Sequence, residues 1–161
     1  MPDDILINCG DDYANAAVRS ALENYLPSDV LSAFDGRLAL VSTGNVDGLR
    51  LTKSFCRDRD VIVLSERILP VKSGDEEFHP DYRYFIFVVL REIAHACKDH
   101  LSPLTDDLTA AQLETQMREA DELALNWFNE HASTTLFQPL ISIAEVEELS
   151  EKARAGRAKN R

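Results

Sequence analysis

The chain has 161 residues, 45% of them hydrophobic and 28% charged, and 17 basic against 28 acidic side chains leave a net charge of −11. That length suits a single domain with a core large enough to fold alone, and the composition is globular rather than disordered. The acidic balance argues against general nucleic-acid binding and against anionic membrane surfaces, since both need a basic field. The basic exception is residues 151–161, where five Lys and Arg side chains face Glu151 alone. It is expected to be a frayed tail on one domain spanning residues 1–150.

Cys9, Cys56 and Cys97 are widely spaced and form no C-x-x-C pair. They fit neither a disulfide scaffold nor a thiolate zinc knuckle, and they point to a reducing compartment. The first residues lack the basic-then-apolar order of a secretory signal. The longest apolar run, Tyr84 to Leu90, is too short to span a bilayer. The expected location is the cytoplasm.

In chain order, Asp11 or Asp12 caps a first helix whose Ala17, Val18, Ala21, Leu22, Tyr25 and Leu26 repeat at helical spacing until Pro27 stops it. A short helical turn follows Ser28 and ends by Gly36. Three strands come next, Arg37–Ser42, Gly48–Thr52 and Asp60–Ser65, with Thr43-Gly44-Asn45 supplying turn chemistry. The continuous run Val61-Ile62-Val63-Leu64 marks a central strand, and the alternating Gly48–Thr52 belongs nearer an edge. The chain then turns helical. A largely buried helix is predicted over about residues 80–100. A second carries the core stripe Leu113, Met117, Ala120, Ala124, Trp127 and His131, and a last amphipathic one uses Ile143, Val146 and Leu149. Ser73 with Glu76, Thr109 with Gln112 and Ser142 with Glu145 have the capping-box form that places helix starts. The order predicts an α+β fold: an N-terminal helix, a small three-stranded sheet, then the 80–100 helix packed on two C-terminal helices.

The segment Arg91-Glu92-Ile93-Ala94-His95 is H-E-x-x-H with arginine in place of the first histidine. In the intact motif two histidines one turn apart bind zinc, and the glutamate acts as general base on the metal-bound water. The following helix carries Glu119-Ala120-Asp121-Glu122-Leu123-Ala124. Together these segments resemble the zincin metallopeptidases of the ImmA/IrrE type. Around E-A-D-x-x-A-x-x-W they are also similar to the Lit-type phage-exclusion peptidases. The strand Asp60–Ser65 lies where those families place the strand before the active-site helix, so the resemblance covers about residues 60–130. It implies a small zincin-like domain with Glu92 at the general-base position, His95 as second zinc ligand and Glu119 as third. Asp121 takes the acidic position that follows, and the substrate groove runs along an edge strand.

Arg91 stands where the first ligand belongs. Arginine has no lone pair to offer and carries a fixed charge where the cation would sit, whereas a catalytic zinc site takes three protein ligands and water. A guanidinium between Glu92 and Glu119 would substitute for the ion. The expectation is a non-catalytic relative, without zinc at full occupancy, that binds or regulates a protein or peptide partner. The alternative is an active peptidase holding zinc in a non-standard shell of Glu92, His95, Asp99 and Glu119. A further alternative is an unrelated helical interaction module in which His95 is an ordinary core histidine. Asp99 otherwise reads as part of a solvated turn, Cys97 and Trp127 as packing residues, His79 as a loop residue and His131 as a helix-end residue. His100 falls one position short of the third histidine of H-E-x-x-H-x-x-G-x-x-H and is set aside. The sequence has no G-x-G-x-x-G, G-x-x-x-x-G-K-[ST] or G-x-S-x-G.

Overall fold

A computed structural model describes residues 5–42, 47–70, 81–132 and 139–159. Strand β1 (Leu6–Asn8) leads into helix α1 (Asp12–Tyr25), which starts where the Asp11 side chain accepts the Ala14 N–H at 2.8 Å. A short α2 (Ser28–Ala33) follows, then β2 (Leu38–Ser42), β3 (Gly48–Leu51) and β4 (Asp60–Leu64). Three helices complete the chain: α3 (Tyr82–Cys97), α4 (Ala110–Ala132) and α5 (Ile143–Lys159). The fold is α+β, as the sequence predicts.

The sheet has four strands rather than three, in the order β1-β2-β4-β3. The added strand, β1, pairs parallel with β2 (Leu6 beside Ala39); β2 and β4 are also parallel, and β3 runs antiparallel to β4. Three residues are too few to show a strand period, and their partner lies beyond both α1 and α2, so the pattern before α1 gives no sign of them. The continuous apolar run is an interior strand and the alternating one an edge, both as expected.

Helix α3 is the centre of the core. Every residue from Tyr84 to Leu90 is buried, as are Ile93 and Ala94, and the helix packs against α1, α4, α5 and the sheet. Its start is set by Asp81, whose side chain accepts the N–H groups of Arg83 and Tyr84. Its end comes before residue 100. The Asp99 N–H donates to the Ala96 carbonyl at 3.2 Å and the His100 N–H to the His95 carbonyl at 3.0 Å, with Asp99 left-handed at φ 53°. This is a Schellman stop with aspartate where glycine is usual. It returns the chain so that His100 lies back against the last turn of α3.

Helix α4 opens on a reciprocal capping box, with the Gln112 N–H on Thr109 Oγ1 and the Thr109 N–H on Gln112 Oε1. Before α5 only half of the second box forms, the Glu145 N–H on Ser142 Oγ. The Ser73/Glu76 box, the Thr43-Gly44-Asn45 turn and His79 lie outside the described residues. The α4 stripe divides: Ala120, Ala124 and Trp127 are buried, but Leu113 is 36% exposed. Residues 151–159, expected as a frayed tail, continue α5, and Ala153 is buried. Among the described residues no helix is long and apolar enough to cross a membrane.

Candidate functional site

The site lies where the second half of α3 crosses edge strand β3. A Cβ on Gly48 would sit 2.7 Å from both Glu92 Oε1 and Val88 Cγ1, so the missing side chain is what lets β3 lie against Glu92. Beside it, Arg91 Nε donates to Glu92 Oε1 at 3.3 Å, with the two side chains 16% and 6% exposed. The guanidinium carbon is 5.8 Å from the centroid of the Phe87 ring. Burial pushes the Glu92 carboxyl up, while Arg91 and then Arg50 pull it down. Burial works against the Arg91 charge, but Glu92, Asp121 and Tyr84 together hold the guanidinium protonated.

The expected clasp of Arg91 between Glu92 and Glu119 does not form. The second carboxylate that acts on Arg91 is Asp121 of α4; burial raises its pKa and Arg91 lowers it. Asp121 Oδ1 is buried without a hydrogen-bond partner among the described residues. Asp121 and Glu119 are two positions apart and so look out from different sides of α4.

Glu119 instead joins a chain of histidines. Its Oε2 lies 3.1 Å from His100 Nε2, and His100 Nδ1 lies 2.9 Å from His95 Nδ1, the two rings meeting edge to face. His95 is pushed down to about 3 by burial, then by His100, Arg91 and Arg50. His100 is lowered by burial, and Glu119 acts against that shift.

Arg50 fixes this arrangement from β3. It is buried, with Nε 2.9 Å and one terminal nitrogen 2.7 Å from Oδ1 of the equally buried Asp60. Its other terminal nitrogen donates to the His100 carbonyl. One side chain thus ties β3 to β4 and to the turn that carries the His100 ring. Asp99, 62% exposed, turns outward to Lys53 at 3.3 Å and reaches Arg50 at 3.4 Å.

Next to these groups is a cleft of about 90 Å³, lined by Arg91, Glu92 and His95 and by the apolar Leu101, Leu113 and Met117. Gln116 pins the wall in place: its Oε1 accepts the Leu101 N–H at 2.7 Å, and its amide nitrogen donates to the Leu101 carbonyl at 3.3 Å. Leu113 and Met117, expected in the core, face this cleft.

The donor set as arranged does not fit zinc. The first-ligand position is a guanidinium bonded to the would-be general base. His100 stands between His95 and Glu119 and presents a different nitrogen to each. Among the described residues no three His, Cys, Asp or Glu side chains are grouped to hold a metal ion. Of the residues singled out from the sequence, Arg91, Glu92 and His95 meet at the cleft and Glu119 joins them through His100. Asp121 approaches from Arg91's side, and Asp99 stays apart. Sequence reasoning missed His100, Arg50, Gly48 and Gln116; the arginine inside the alternating Gly48–Leu51 strand was the one available hint.

Comparison with known protein families, curated proteins and solved structures finds no match for this chain.

Proposed function

We propose that this chain is a zincin-like domain that has exchanged its zinc for an internal ion pair, and that it binds an extended segment of a protein partner without cutting it. The observation that carries this is the Arg91–Glu92 pair, 3.3 Å apart, at the position of the motif's first ligand and general base. A glutamate engaged by a fixed cation is poorly placed to take a proton from water, and a guanidinium activates no water by coordination. What remains is recognition. Strand β3 has β4 on one side and no strand on the other among the described residues, and the cleft opens beside it. A peptide laid along β3 would gain main-chain hydrogen bonds and place one side chain in the cleft. The cleft's volume of about 90 Å³ suits a single side chain, whereas small-molecule sites start near ~300 Å³. The net charge of −11 favours a partner that is basic overall.

Metal analysis of the purified protein tests the reading. Zinc is expected well below one equivalent, with a melting temperature indifferent to a chelator and no cleavage of an unfolded protein substrate. Stoichiometric zinc with chelator-sensitive cleavage overturns it.

A further inference from the structure

We propose that the cleft selects an apolar group ended by a neutral hydrogen-bond donor, as the partner's tyrosine side chain would present, through an unprotonated Nε2 of His95 fixed by a Glu119–His100–His95 relay. The inference rests on the cleft being the partner-binding pocket.

The relay follows from donor and acceptor counting. A carboxylate only accepts, so the 3.1 Å contact with Glu119 requires the proton of neutral His100 to be on Nε2. His100 Nδ1 then has only a lone pair. Across the 2.9 Å contact, His95 Nδ1 must be the donor. A neutral imidazole carries one N–H, so His95 Nε2 is left as an acceptor. That atom makes no hydrogen bond among the described residues and is not sealed from solvent, and His95 lines the cleft whereas His100 does not. A ligand covering it must therefore bring an N–H or O–H.

The rest of the cleft narrows the choice. A carboxylate would set lone pairs against a lone pair. An ammonium group would meet the Arg50 and Arg91 guanidiniums that border the same space. The walls supplied by Leu101, Leu113 and Met117 require an apolar body. A phenol combines a rigid apolar ring with a neutral O–H at its far end.

The test is ring-nitrogen NMR of the full chain near neutral pH, with p-cresol and its methyl ether as probes. The expected result has His95 protonated on Nδ1 and His100 on Nε2. p-Cresol shifts the His95 Nε2 resonance and binds about tenfold more tightly than the ether, the worth of one hydrogen bond. The Glu119 side chain is 45% exposed, so truncating it opens no buried cavity. In Glu119→Ala the tautomer constraint is lifted, Nε2-protonated His95 gains population and the preference for p-cresol collapses. A merely structural role for Glu119 would leave the tautomer unchanged. His95 protonated on Nε2 in the parent, equal affinity for both probes, or binding of neither overturns the proposal. Zinc measured on the same samples separates the two readings: bound metal overturns the ion-pair substitution, and a metal-free chain with the other tautomer overturns the relay alone.

Discussion

His95 is buried as a neutral base, and that leaves a signature in the stability of the chain. Burial, then His100, Arg91 and Arg50, lower its pKa to about 3, whereas an unfolded histidine titrates near ~6.5. Between those values the unfolded chain holds a proton that the native chain lacks. The stabilising contribution is therefore complete above the unfolded pKa and is lost as pH falls through the window, by up to ~1.4 kcal/mol per pH unit. His100 is shifted the same way. Glu92 runs in the opposite sense: its raised pKa keeps a proton on the native chain longer, so its contribution weakens as pH rises through the carboxylate range. Denaturant unfolding from neutral pH to about pH 4 should show stability falling toward acid in the parent and a shallower fall in His95→Gln. Parallel profiles would mean that His95 is not held neutral. Much of this residue-level picture was invisible in the sequence. His100 was set aside because its spacing failed a linear motif, yet a Schellman turn brings its ring to His95. Arg50 showed only as an arginine inside an alternating strand, because its partners, Asp60 and the His100 carbonyl, lie on β4 and in the turn after α3.

The elements themselves were more legible. Helical periodicity and a carboxylate cap gave α1, the Thr109–Gln112 box gave the start of α4, and the apolar run of β4 marked it as interior. The failures have physical causes. Strand β1 is too short to show a period. The end of α3 uses Asp99 where a glycine would have announced the stop. Leu113 and Met117 kept helical spacing while lining a cleft instead of a core. The contact between β3 and α3 depends on Gly48, whose added Cβ would meet Glu92 Oε1 and Val88 Cγ1 at 2.7 Å. Gly48→Ala should therefore cost about 1–3 kcal/mol in denaturant unfolding, as overpacking does. It should also displace Glu92 from Arg91, readable as a changed Glu92 carboxyl titration. A neutral effect on both would show that β3 does not rest on α3.

For the molecule as a whole, the function proposed above takes the acidic α+β chain as one that would keep the helix pair of a metal site and set the Arg91–Glu92 pair where the metal would be. The central claim is that Arg91 takes the cation's place. Its most direct test is the melting curve of Arg91→His with and without zinc. Residues 91 and 95 are one helical turn apart on one face, His95 has Nε2 available, and the 45% exposed Glu119 side chain has to leave His100 to supply the third ligand. The account predicts opposite signs. Without zinc the variant is less stable than the parent by about 3 kcal/mol, because Glu92 and Asp121 lose their counter-charge inside the fold. With zinc at a hundredfold excess over its dissociation constant, the variant gains about 2.7 kcal/mol and the parent gains nothing. A variant as stable as the parent without metal, or one whose melting ignores zinc, would contradict it.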